Sequence, residues 1–399
     1  IYSELIYFCI IKKNMNLGKF SFNSELNDLK KFENLDHTEK QIVFYSENQN
    51  SMFIFKSLIE ELINQDITIC YVTSSKDDPN LNSSNEKIKT FCIGEGIMRT
   101  KFFLNLKADI LIMTMPDLGT SYIKRSKVYP VHYVYMFHAI ASTHLVYKKS
   151  AFDNYDSIFC VGNFQIDEIR SREKLYKLDA KNLIETGYSH LDNLIKKYST
   201  NKKIPINDPI QILIAPSWSD DGLFETAIEK NISILLDSGF KVTLRPHPMT
   251  QKKSEKKINF LLQKFSSNSN FVLEKNIPNF ESFVKSDIMI TDWSGAAIEY
   301  AFTLERPVLF IDVPKKIHNS DYEKLPEIPI EISIRDKIGE IISLSDMEVL
   351  PEKIQNLCQN PDIIKDKIKR IREELIANLG NSSKIEVEYI LKLKNQLKK

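Results

Sequence analysis

Asp292, Ser294 and Gly295 stand where an apolar run, Ile288 to Ile290, gives way to a helical pattern that carries Glu299. A second apolar run, Val308 to Ile311, follows Arg306-Pro307. Strand, small-residue turn, helix and strand make a βαβ unit. In open α/β sheets, ligands bind at the carboxyl ends of the strands. Backbone N–H groups at a helix start attract anions, so phosphate suits this turn. Glu299, one turn into the helix, is placed to accept hydrogen bonds from a ribose diol.

Four further stretches carry chemistry. Arg245-Pro246-His247-Pro248 follows the run Val242 to Leu244. Each proline fixes its own φ and restricts the residue before it, so the corner holds His247 rigidly. His247 can then donate to a phosphate oxygen, with Arg245 adding charge. Ser217 and Trp218 lie in a polar loop, Pro216 to Gly222, after another apolar run; such a loop cradles phosphate, and the indole stacks on a base or packs beneath the loop. His138 and His144 follow the run Tyr133 to Phe137. A histidine at a strand end facing a cleft is a candidate general base, since its pKa lies near neutral; a satisfied structural histidine is the alternative for each. Gly187 to Asp192 includes His190 and lies where the first half of the chain ends.

The surrounding pattern says what must position these residues. Short apolar runs alternate with helical ones: Ile42 to Tyr45, Ile67 to Val72, Lys89 to Ile93, Asp109 to Thr114, Tyr133 to Phe137, Ser157 to Val161 and Leu183 to Thr186 read as strands. The alternation resumes with Ile210 to Ala215, Lys241 to Arg245, Asn270 to Leu273, Ile288 to Thr291 and Val308 to Ile311. Helices are expected over Met52 to Asn64, Gln165 to Leu175, Glu225 to Ser238, Lys252 to Phe265 and Lys384 to Leu397. This order predicts an α/β fold with two Rossmann-like domains, parallel sheets covered by helices, and a helical carboxyl-terminal tail. The expected divisions are an extension (1–40), a first domain (41–200), a linker (201–209), a second domain (210–375) and a last helix (376–399). Two such domains place a ligand at their interface.

Composition narrows the function. Across 399 residues, 54 basic and 53 acidic side chains leave a net charge of +1, which gives no electrostatic case for nucleic acid. Five scattered cysteines argue for a reducing compartment and against a disulfide scaffold or zinc site. Neither GxGxxG nor GxxxxGK[ST] nor GxSxG occurs, which argues against a conventional dinucleotide dehydrogenase, a P-loop NTPase and an α/β-hydrolase. The run from Leu5 to Ile11 is too short to span a bilayer and reads as a dispensable extension.

Taken in order, these stretches resemble one family. The histidine loop Met136 to His144, Gly187 to Asp192, Pro216-Ser217-Trp218, Arg245 to Pro248, and Thr291-Asp292-Trp293-Ser294-Gly295 with Glu299-Tyr300-Ala301 and Arg306-Pro307-Val308 look like the CDP-glycerol glycerophosphotransferases, the teichoic-acid primases and polymerases of bacterial envelopes. The resemblance runs from Tyr133 to Asp312. It implies the two-domain GT-B fold, an amino-terminal acceptor domain and a carboxyl-terminal nucleotide-donor domain. It also implies that His247 and the Asp292 to Gly295 turn hold a donor diphosphate, Glu299 the ribose, and that His138 is the base. The partners implied are a CDP-activated donor and a polysaccharide or lipid-linked acceptor, with no cofactor and no metal. The site implied is the cytoplasm or the inner face of the plasma membrane, where Lys12, Lys13, Lys148 and Lys149 would add weak attraction. Ala139 stands where the family has glycine, Thr291 to Gly295 replaces Ser-Asp-Tyr-Ser-Ser, and the Gly187 segment lacks a Pro-Arg pair. Other readings therefore stay open: a glycosyltransferase using a UDP- or CMP-sugar, a sugar-nucleotide 2-epimerase, or a nucleotide-binding module without turnover.

Overall fold

The computed structural model describes residues 23–48, 51–120, 122–198, 206–274 and 280–397. The run from Leu5 to Ile11, Lys12 and Lys13, and residues 201–205 of the expected linker lie outside them.

Two parallel sheets organise the chain. The first contains β1 (Ile42–Ser46), β2 (Ile69–Thr73), β3 (Ile88–Cys92), β4 (Ile110–Met113), β5 (His132–Met136), β6 (Ser157–Cys160) and β7 (Asn182–Glu185), in the order β3-β2-β1-β4-β5-β6-β7. The second contains β8 (Gln211–Ile214), β9 (Lys241–Leu244), β10 (Phe271–Leu273), β11 (Ile288–Thr291), β12 (Val308–Asp312) and β13 (Gly339–Ser343), in the order β10-β9-β8-β11-β12-β13. Counted from its own first strand, each sheet follows the doubly wound order, which reverses direction between β1 and β4 and between β8 and β11. The registers Val43 to Leu111 and Ile212 to Ile288 fix those two switch points. Helices cover both faces, so central strands such as Ile42-Val43-Phe44-Tyr45 are buried throughout and read as unbroken apolar runs.

The carboxyl-terminal region joins the domains. The helix Pro361–Leu375 is fastened to the second domain by Arg372, which donates to the Phe302 carbonyl and lies 2.9 Å from Glu305. The chain then crosses over: Ala377 N–H donates to the Val161 carbonyl (3.0 Å), and the helix Ser382–Leu397 buries Val387, Ile390 and Leu393 in the first domain's core. Gly187 adopts φ +89°, and a Cβ there would stand 2.2 Å from the Ala377 carbonyl oxygen, so glycine is required by this close approach.

Several elements depart from the sequence reading. Lys252 to Phe265 is two helices, Pro248–Lys253 and Glu255–Phe265, because His247 caps the first and Ser254 interrupts the path. β13 was not expected; it is a half-buried edge strand in which a Cβ on Gly339 would collide with the Val308 carbonyl. Residues 23–33 are helical, and Leu29 and Phe32 enter the first core although they stand in a polar stretch.

Candidate active site

A cavity of about 960 Å³ lies between the carboxyl strand ends of the two sheets. His138 and His190 line it from the first domain; Arg245, His247, Ser294 and Glu299 line it from the second. Residues spread from 138 to 299 in sequence therefore face one space, at the switch point of the second sheet.

The two histidines that line it from opposite sides are held in opposite ways. His138 Nδ1 lies 3.2 Å from the Thr114 carbonyl oxygen at the end of β4. A carbonyl only accepts, so neutral His138 carries its proton on Nδ1 and keeps a lone pair on Nε2. Burial between the domains lowers its pKa, although the ring opens onto the cavity. His247 is reversed: its Nδ1 accepts from Met249 N–H (3.1 Å) as the cap of the helix Pro248–Lys253. Neutral His247 therefore presents Nε2–H as a donor. Burial, then the Lys316 charge, lowers its pKa, against a smaller opposite pull from Asp292. One imidazole can accept a proton and the other can donate a hydrogen bond at the same pH.

Around them, Ser294 precedes Gly295, the cap of the helix Ala296–Leu304. A Cβ on Gly295 would meet Ala139 Cβ at 3.9 Å, so this turn faces the residue after His138 across the cleft. Glu299 accepts from Tyr188 OH through Oε1 (3.0 Å). Burial raises its pKa, and the His190 charge and the Tyr188 hydrogen bond oppose that rise. Arg245 lies 3.5 Å from Glu274, donates to Ser282 (3.0 Å) and stacks 4.7 Å from the Phe283 ring centroid, so its direction is fixed.

Other residues expected at the site stand behind it. Asp292 is buried, and its oxygens accept from Ser217 N–H (2.7 Å), Trp293 N–H (2.8 Å) and Leu223 N–H (3.0 Å). It fastens the loop after β8 to the turn after β11. Ser217 is buried by that contact, and Trp218 lies outside the cavity lining, with Lys253 and Lys316 ammonium groups 4.2 and 5.5 Å from its ring centroid. His144 is buried between Glu168 (3.3 Å) and the Glu327 carbonyl (3.1 Å), away from the cavity. Gly187 meets the returning carboxyl-terminal segment, and Asp192 accepts from Gly380 N–H (2.8 Å) and Ser382 N–H (3.1 Å). Asp192 thus caps the start of the helix Ser382–Leu397, as a carboxylate near a chain reversal readily does.

Sequence reasoning missed the Tyr188 contact with Glu299, the Lys316 charge near His247, and an aromatic ladder in the cavity wall. Tyr198 stacks on Phe280 (4.9 Å between centroids) and Phe280 on Phe283 (4.5 Å). Phe280 caps the short helix Glu281–Lys285 that carries Phe283, and their partner Tyr198 comes from the other domain.

Replacing Asp292 with alanine strands buried donors on two loops. Each buried donor left unpaired costs about 1–3 kcal/mol, so a loss on the order of 3 kcal/mol or more is expected. Calorimetry should find the second domain's thermal midpoint roughly 5–10 °C lower. Asp292→Asn keeps one acceptor oxygen but sets an amide against Leu223 N–H, and should fall between.

Two Rossmann-like domains with parallel sheets facing each other across a cleft are the GT-B arrangement. The sequence pattern of the CDP-glycerol:poly(glycerophosphate) glycerophosphotransferases matches residues 29–319, and the chain belongs to that family. No curated protein matches it. Among solved structures, the wall teichoic acid polymerase TagF is similar over 98% of each chain, with 16% identity and a TM-score of 0.59. The UDP-GlcNAc 2-epimerase of Methanocaldococcus jannaschii is similar over 88% of this chain and 99% of its own (12% identity, TM-score 0.53). MnaA of S. aureus, solved with UDP, is similar over 89% and 97% (14% identity, TM-score 0.54). These likenesses bear on the fold.

Proposed function

We propose that the cavity transfers glycerol phosphate, or a related polyol phosphate, from a CDP-activated donor to a hydroxyl of an envelope polysaccharide or lipid-linked acceptor. The observation that carries this reading is the opposite anchoring of two histidines across one cleft. The acceptor hydroxyl attacks the β-phosphorus and its proton passes to His138 Nε2. The bond from that phosphorus to the bridging oxygen breaks, and CMP leaves with the electron pair. His247 Nε2–H, Ser294 and the start of the helix Ala296–Leu304 stand where the diphosphate would lie, and donors aimed at developing charge lower the barrier. Glu299 has one oxygen engaged by Tyr188 and the other available to the ribose. Family membership supports the donor class, and the two-domain cleft supports in-line positioning.

The test is donor-resolved turnover. The protein is incubated with an envelope-type acceptor and CDP-glycerol, UDP-N-acetylglucosamine or a CMP-sugar, and released nucleotide is measured. CMP release from CDP-glycerol alone is expected. Release only from a sugar nucleotide would move the chemistry to an anomeric carbon, and tight binding without any release would favour a module without turnover.

Among the described residues, no helix is long and apolar enough to cross a membrane. We propose peripheral attachment at the inner face because a lipid-linked acceptor needs proximity to it; vesicle flotation measures it. Lys148 and Lys149 are poor agents for that attraction, since they pair with Asp117 (3.2 Å) and Asp321 (2.7 Å).

A further inference from the structure

The loop that begins at His138 continues into a buried polar contact with the second domain. Ser142 N–H donates to Glu331 Oε1 (2.8 Å), His144 Nε2 donates to the Glu327 carbonyl (3.1 Å), and His318 N–H donates to the Leu145 carbonyl (2.9 Å). Farther along the first domain, Ser171 Oγ donates to the Glu327 carboxylate and Tyr176 OH to Asp321 (3.0 Å). Residues 318–331, the excursion that follows β12, are thus strapped to the first domain along their length. The loop is also pinned from its own side: Glu168 Oε2 accepts from Thr143 N–H (2.6 Å) and Thr143 Oγ1 (2.8 Å).

None of these side chains lines the cavity. Apolar residues would bury the same interface more cheaply, because buried polar and ionic groups carry a desolvation cost. What hydrogen bonds add is a single register. Three residues separate His138 from Ser142, so the register of the strap sets where the imidazole stands relative to the turn at Ser294.

We infer that Glu331 is a positioning residue: by holding Ser142 N–H, it fixes the His138 loop against the domain that holds the donor. This rests on the reading of His138 as the base. Glutamine keeps a side-chain oxygen at the same reach, so it is a close substitute as the acceptor of Ser142 N–H.

The experiment compares Glu331→Gln with Glu331→Ala in the full chain, each alone and combined with His138→Ala. Turnover of CDP-glycerol, CDP-glycerol affinity by titration and thermal midpoint are measured together. Gln, which keeps an acceptor for Ser142 N–H, should retain turnover within about twofold. Ala should lower kcat by about 10–100-fold with donor affinity unchanged, the scale expected of a small displacement of a catalytic group. In the His138→Ala background, Glu331→Ala should cost nothing further, because residues acting through one another are not additive. If Ala lowers the midpoint while kcat is unchanged, or if the two losses add, the positioning role is overturned. A His138→Ala variant with full turnover would instead overturn the base reading. Should Glu331→Ala not fold, His144→Ala, which removes the bond to the Glu327 carbonyl, carries the same cycle and the same outcomes.

Discussion

Replacing His138 with alanine is expected to lower kcat for CMP release by about 10²–10⁴-fold, the range for loss of a positioned general base. Affinity for CDP-glycerol should hold, because the candidate donor contacts, His247, Ser294 and Glu299, all come from the other domain. The pH profile supplies an independent reading. A base must be neutral to accept a proton, and burial holds the His138 pKa below the ordinary imidazole value. The acid limb of kcat/KM should therefore fall below pH ~6.5, the value of a free imidazole, and not above it. In His138→Gln that limb should vanish along with the rate. An unchanged acid limb in a variant with residual turnover would give the base role to another group, with His190, on the same wall of the cavity, the first to test.

The fold was legible because both sheets are built from βα repeats whose central strands are buried on each face; Ile42 to Tyr45 and Ile288 to Thr291 announce themselves as apolar runs. β13 did not, since an edge strand that is half exposed needs no such run. Within the site, the residues placed at the cavity are those marked by unusual local restraint, such as His247 between two prolines. Asp292 and Asp192 carried the right chemistry for a ligand yet spend it on backbone N–H groups, and a carboxylate's partner cannot be read from its neighbours in sequence. Tyr188 and Glu299 meet across 111 positions, and the Ser142–Glu331 contact spans 189. Pairings of that separation are set by the docking of the two domains, not by local pattern.

His247 should behave differently from His138, and the contrast separates the two roles. In His247→Ala, two things are lost: the Nε2–H of a ring that lines the cavity and the cap on Met249 N–H. Asparagine is the sharper variant, because it serves well as a helix cap yet is too short to reach the same ligand atom. His247→Asn is expected to lower kcat by about 10²–10³-fold, the cost of one lost donor to developing negative charge. It should also weaken CDP-glycerol binding, since the bound diphosphate is already charged before reaction. Arg245 cannot take over, held as it is by Glu274, Ser282 and the Phe283 ring. Thus loss at His138 should appear in kcat alone and loss at His247 in both kcat and donor affinity. Titration and steady-state rates on both variants decide it: a His247→Asn protein with unaltered affinity and rate would remove the proline-flanked histidine from the diphosphate and leave it a helix cap. A kcat loss without an affinity loss would mean that the donor contact forms only as charge moves onto the departing CMP.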